Sequence, residues 1–281
     1  MTSDNTLTAP LKLRGRSAFH QFAVLSVRWG RVPAGTILFF LAWYLLSLTL
    51  PDSRLVSPLR VVDEMLYNFV LSPHLQVFGL GRIGYAGLLI YSVKNVLLGL
   101  AVGAAIGLLL GLTSARFRPL RYLVDPITLV LGTVPVLVAA PLFLLWFGVV
   151  PYTQVLLVGL YSAVMMTIFS QRAVDNIDPV YELAAATRGA NWSTRLRLIL
   201  LPAVVPEVIG GLRVTLASAW GIETFTEILG APSGIGQAIK TYTNVNNVAG
   251  MLACVGLVAI VAITMDFLLQ VTARRISRWA H

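Results

Sequence analysis

Apolar runs of about 20 residues recur along this chain, and no other property restricts its fold so far. A helix rises 1.5 Å per residue, so each such run is long enough to cross the roughly 30 Å hydrocarbon layer of a membrane. About six are present, over residues 33–50, 92–112, 122–148, 153–170, 203–225 and 248–271. Only 12% of the residues are charged and 57% are hydrophobic, against about 25% charged in ordinary soluble domains. The expected fold is an all-α membrane protein with about six transmembrane helices. Residues 85–91 are also apolar and either extend the second run or lie in the interface, so the placement of 51–91 stays open. The first run is followed by Leu50-Pro51-Asp52 without an A-x-A pattern, which reads as a retained span and not a cleaved signal. The single cysteine, Cys254, lies inside an apolar run. It leaves no disulfide framework or cysteine zinc site and reads as packing material.

The net charge is +9, and 18 of the 21 basic residues are arginine, set in short clusters between the apolar runs. Lys12, Arg14, Arg16, Arg28 and Arg31 precede the first run, and Arg116, Arg118 and Arg121 follow the second. Arg172, Arg188, Arg195 and Arg197 lie between the fourth and fifth, while Arg274, Arg275 and Arg278 follow the sixth. With six spans these clusters share one side, and the opposite loops hold only Arg54, Arg60, Arg82 and Lys240. That asymmetry places both termini in the cytoplasm, and it fits anionic lipid headgroups better than nucleic acid. The expected organisation is a cytoplasmic segment 1–32 followed by a membrane domain 33–281, with a wet loop at about 171–202.

Two runs carry internal signatures. Pro126, Pro135 and Pro141 interrupt the third, which a membrane helix tolerates where neighbours satisfy the freed carbonyls, so it lines an interior. Gly99, Gly103, Gly107 and Gly111 form a flat ridge at four-residue spacing on the second, read as a close helix contact or, alternatively, as part of a pore.

The wet loop has its own local code. Asp178 is placed to cap a helix whose first residue is Pro179, where a missing N–H costs nothing. Glu182 suits the positive end of that helix, and Gly189 is a natural left-handed terminator. Ala184, Ala185 and Ala186 leave part of the helix backbone open to close approach. A second short helix follows, with Leu196, Ile199 and Leu200 as its apolar stripe before Pro202. Two readings stand: a handle for a protein partner, or an amphipathic loop lying on the membrane.

This loop resembles the "EAA" motif of the inner-membrane permease subunits of binding-protein-dependent ABC importers. Ala184, Ala185, Gly189, Ile199, Leu201 and Pro202 fall at that family's spacing. Leu183 occupies the motif's glutamate position, with Glu182 one residue earlier, which rotates the carboxylate by about 100° around a helix; the family's acidic contact is therefore not carried over. The resemblance implies that residues 181–191 form a cytoplasmic coupling helix between the fourth and fifth spans, docking into a separate ATPase subunit through Tyr181, Glu182, Leu183, Ala184, Ala185, Arg188 and Gly189, with Ile199, Leu201 and Pro202 behind it. Val124-Asp125-Pro126, Val134-Pro135, the stretch from Ala140 to Gly148, Ala219-Trp220, Glu227 and Gly234-Ile235-Gly236 look like the nitrate, taurine and aliphatic sulfonate group. The resemblance implies an inner-membrane homodimer moving a small solute by alternating access. Its implied partners are two cytoplasmic ATPase subunits, an external solute-binding protein and membrane lipid.

Ionisable groups within a span are expensive and mark candidate function. Glu223 and Glu227 stand one turn apart on one helix face. With Thr224, and with Thr133 and Pro135 of the third run, they are the candidates for the solute path; a buried ion pair or an interfacial placement is the competing reading of Glu223. Lys94 is expected to snorkel from a span end, and Asp266 to meet Arg274. His20, His74 and His281 have no metal-ligand spacing, and no G-x-x-x-x-G-K-[ST] loop is present. No cofactor is implied, the chain is not read as an enzyme, and ATP hydrolysis belongs to another subunit. The rivals are an ion-driven secondary transporter, which would want inverted repeats, and an intramembrane enzyme, which would want a facing nucleophile and base.

Overall fold

The computed structural model describes the backbone of residues 18–80 and 84–276, with the side chains of residues 18–33, Glu182 and Trp192 outside the described set. The side chains expected in segment 1–32, together with Arg82, Arg278 and His281, therefore lie outside the described residues. Every regular element described is helical. The chain divides after Pro58 into two units. In the first, α1 (Ala18–Thr49) carries a short apolar stretch, Ala34–Thr49, and the Trp43 indole donates to the Val56 carbonyl at 3.0 Å.

The second unit holds the remaining elements: α2 (Pro58–Tyr67), α3 (Pro73–Val77), α4 (Tyr85–Arg116), α5 (Arg118–Thr133), α6 (Val136–Phe147), α7 (Pro151–Asp175), α8 (Pro179–Thr187), α9 (Trp192–Arg195), a π-helical turn (Leu196–Leu200), α10 (Leu201–Gly230), α11 (Ile235–Asn244) and α12 (Val248–Ile276). Among the described residues, α4, α7, the stretch Ser193–Gly230 and α12 are each long and apolar enough to cross a membrane. Helices α5 and α6 qualify only together, as a pair bent by 95°. Length and composition thus support four spans, or five with the bent pair, where six were expected.

Three boundaries differ from the sequence reading, each for a local reason. The second run begins at Tyr85, so Lys94 stands about 14 Å along α4 and not at its end. The third run breaks only once: Val134 is extended, as a residue before proline prefers, while Pro126 and Pro141 remain inside α5 and α6. Near Pro126 the Thr128 hydroxyl donates to the Val124 carbonyl at 3.0 Å. The fifth run begins near Ser193, because the second short helix of the loop continues directly into α10. Pro202 offers no N–H, and just before it the ladder widens by one residue, with the Leu201 N–H reaching the Leu196 carbonyl.

The glycine ridge of α4 seats against α7. A Cβ at Gly99 would lie 2.7 Å from the Val158 Cβ, one at Gly107 2.8 Å from the Met166 Cβ, and one at Gly103 would collide with the Gly159 carbonyl. The ridge is a helix contact, as its spacing allowed. Beside it Val96 and Leu100 of α4, Leu157 and Val158 of α7 and Leu216, Ala219, Trp220 and Ile222 of α10 close the buried core, with Ala140 of α6 against them. Cys254 of α12 is fully buried.

Candidate functional site

Two regions hold most of the residues singled out by sequence. The first is α8. Asp178 Oδ1 accepts from the Val180 N–H at 2.9 Å, and Pro179 opens the helix. Gly189 has φ +73°, and the Gly189 and Ala190 N–H groups close on the carbonyls of Ala186 and Ala185, both at 3.0 Å. The element therefore starts and stops where its sequence dictates. Asn191 adds a cap that sequence reading passed over, its Oδ1 accepting from the Thr194 N–H at 2.9 Å and the Thr194 hydroxyl at 2.7 Å.

The exposed side of α8 is apolar. Val180, Tyr181 and Leu183 are all more than 60% exposed, although apolar groups are stabilised by leaving water. Tyr181, Ala184, Ala185 and Arg188 share a cleft of about 300 Å³ with Leu198 and Ile199 from the following turn. Leu201 and Pro202 stand at the start of α10 outside that cleft. The Glu182 side chain lies outside the described residues.

The second region is a polar cluster inside the bundle. Glu223 and Glu227 of α10 are both fully buried. Glu227 Oε1 accepts from the Ser92 hydroxyl at 2.6 Å and Oε2 from the Gly236 N–H at 2.7 Å, while the Ile235 N–H donates to Ser92 Oγ at 3.2 Å. A carboxylate is thus held at the open amides of α11, where the helix dipole favours it. Gly234 has φ +119°, and a Cβ there would strike the Glu227 carboxylate, so the turn that delivers those amides needs glycine.

Glu223 is held differently. The Asn95 amide spends one hydrogen on Glu223 Oε1 and the other on Gln154 Oε1, both at 2.8 Å, and the Tyr91 hydroxyl adds 3.0 Å to the same Gln154 oxygen. Helices α4, α7 and α10 are tied through that one amide. Glu223 Oε2 and Gln154 Nε2 are buried without a hydrogen-bond partner among the described residues. Thr224 is half-buried. Thr133 and Pro135 lie elsewhere, exposed at the α5–α6 corner, where Pro135 borders a hollow of about 220 Å³. The structure brings Glu223 and Glu227 together in one polar cluster whose hydrogen bonds do not include Thr133 or Pro135.

Asp266 corrects one expectation. Its partner is Arg213 of α10, with Nε to Oδ1 and Nη2 to Oδ2 both at 2.7 Å, and not Arg274. Arg274 lies eight residues further along the same helix, about 12 Å of rise away. Arg213 was absent from the sequence reading, yet an arginine deep in an apolar run demands a partner, and a carboxylate in another run supplies it.

Comparison with known proteins gives this architecture its place. The chain is 27% identical over 230 residues to a putative aliphatic sulfonates transport permease of Bacillus subtilis, covering 81% of this chain and 78% of that protein. It is 25% identical to a nitrate import permease of Synechococcus elongatus over 85% of this chain and 87% of that protein. Its fold matches the crystal structure of a bacterial ABC transporter involved in alginate import, with TM-score 0.59 and 16% identity over 93% of this chain and 100% of that one. Residues 103–278, which hold α8 and the Glu227 cap and everything between them, match the family model of the inner membrane component of binding-protein-dependent transport systems, and the chain belongs to that family.

Proposed function

We propose that this chain is the permease subunit of an ATP-driven importer and that α8 is the helix through which a separate cytoplasmic ATPase drives it. The observation that carries this reading is α8 itself: a capped helix between two spans whose Val180, Tyr181 and Leu183 face outward, with Ala184 and Ala185 leaving its backbone approachable. An isolated surface helix of nine residues is marginal by propensity alone. A protein groove that covers its apolar side supplies the missing burial.

In this reading two copies of the chain form the transporter, both termini face the cytoplasm, and an external solute-binding protein delivers the cargo. Tyr181, Glu182, Leu183, Ala184, Ala185, Arg188 and Gly189 meet the ATPase, and Ile199, Leu201 and Pro202 brace the helix from behind. Thr133 and Pro135 border the solute path at the α5–α6 corner. Glu223, Thr224 and Glu227 stand behind that path and set the position of α10. The cargo is a small solute of the nitrate, taurine or sulfonate kind, in keeping with the similarity to sulfonate and nitrate permeases.

Co-expression with the candidate ATPase tests the reading. Affinity capture of this chain should bring the ATPase with it, and vesicles supplied with binding protein and taurine or nitrate should take up solute only with ATP inside. Solute uptake by the purified chain alone, driven by an ion gradient, would defeat it.

A further inference from the structure

The root of α8 is tied to the broken helix by side chains outside the sites described above. Asp175 is the last residue of α7, and α8 begins four residues later. Arg121, in the first turn of α5, grips Asp175 with both arms of its guanidinium, Nη1 to Oδ1 at 2.9 Å and Nη2 to Oδ2 at 2.7 Å, while its Nε reaches Asp125 at 3.3 Å. Asp125 in turn accepts from the Gln171 amide at 2.9 Å, and the same amide donates to the Ser114 hydroxyl of α4 at 2.9 Å. Next to Asp175, the Asn176 amide lies 3.1 and 3.2 Å from the two carboxylate oxygens of Glu207 in α10.

Above this knot α5 is packed on one side only, with Val124 and Thr128 buried and Leu123, Ile127 and Leu131 exposed. A groove of about 850 Å³ separates Leu123, Ile127 and Leu131 of α5 from Ile106 of α4 and Leu156 and Leu160 of α7. The polar ties at its foot are thus a directional connection between α5 and the α7–α8 junction, beside the apolar contact of the buried Val124. A single exposed ion pair contributes little, but a two-pronged arginine–carboxylate pair within a network fixes direction as well as distance.

We propose that Arg121 and Asp175 are positioning residues for transport: the pair transfers displacement of the α7–α8 junction to α5, and hence to the 95° corner at Val134-Pro135. This rests on the ATPase-coupled reading of α8. A movement of α8 passes to α7 through the chain itself, and the clamp, set at the α7–α8 junction, carries it directly to the first turn of α5. The corner then swings as the end of a short lever.

The test uses the permease–ATPase complex in lipid nanodiscs with Cys254→Ala, carrying an environment-sensitive fluorophore at Thr187→Cys on α8 or at Val138→Cys on α6, both exposed positions. ATP with vanadate should change the emission at both sites. In Arg121→Ala the response at 187 should persist and the response at 138 should be lost; the swap Arg121→Asp with Asp175→Arg should restore it. A response at 138 that survives Arg121→Ala, or that the swap does not restore, overturns the clamp. Absence of a nucleotide response at 187 in the otherwise unmodified complex overturns the functional reading itself, and the clamp with it.

Discussion

Arg213 of α10 and Asp266 of α12 hold each other through two parallel hydrogen bonds of 2.7 Å, each residue set within a stretch apolar enough to cross a membrane. An unpaired charge at the centre of a membrane helix costs about 2.5–3.5 kcal/mol on insertion scales. Arg213→Met alone or Asp266→Leu alone should therefore lower the unfolding temperature of the detergent-purified protein more than the two changes made together. Equal or greater loss in the double variant would show that the pair is not the unit of stability.

Gly189 and Gly210 make a matched test of conformation against space. A Cβ at either would meet nothing within 4 Å, but only Gly189 has positive φ. Gly189→Val should destabilise the end of α8 by about 1–2 kcal/mol and weaken ATPase capture. Gly210→Ala, inside a helix, should be neutral or stabilising by up to about 1 kcal/mol. Thermal unfolding and quantitative capture of the ATPase check both, and unchanged capture in Gly189→Val would count against α8 as the docking element.

On the α4 ridge the constraint is space alone. Gly107→Leu must push the Ala163 carbonyl and Met166 away, and overpacking of this kind costs about 1–3 kcal/mol. Expression and melting temperature should fall. Val102→Ala, at an exposed position on the same helix, should leave both nearly unchanged.

Glu227 and Glu223 should differ in what their removal breaks. Glu227→Ala deprives the Gly236 amide of its acceptor, while the Ser92 hydroxyl can fall back on the Leu88 carbonyl at 3.2 Å, and a buried donor left unpaired costs about 1–3 kcal/mol. Amide exchange measured by mass spectrometry should then rise in α11. Glu223→Gln keeps an acceptor for Asn95 and should be mild, while Glu223→Leu strands one hydrogen of that amide and should lower the melting temperature more.

What the sequence made legible follows from the range of the interactions. The limits of α8 are local chemistry, since Asp178, Pro179 and Gly189 each act on backbone within a few residues, and all three behave as their types require. The glycine ridge was readable as a contact face, although its partner α7 was not, because a flat surface does not name what lies on it. Arg121 with Asp175, and Asn95 between Gln154 and Glu223, join residues 54, 59 and 128 positions apart, so no window along the chain could pair them. Helices α2, α3 and α11 escaped notice for another reason. They are short and only partly apolar, and their placement depends on distant partners such as the Tyr85 and Tyr242 hydroxyls at 2.9 Å.

The corner at Val134-Pro135 has a geometric corollary. With 16 and 12 residues, α5 and α6 reach only about 24 and 18 Å, each less than the thickness of the oily layer, about 30 Å. Neither arm can traverse that layer alone, so if the pair forms one broken span its joint lies at depth, with peptide groups there that hydrocarbon cannot solvate. Irregular backbone survives at such depth only against protein or water. In the transport reading proposed above, such an elbow would be where the outer and inner aqueous phases come nearest to one another, the place at which a barrier to leakage has to be thin enough to open.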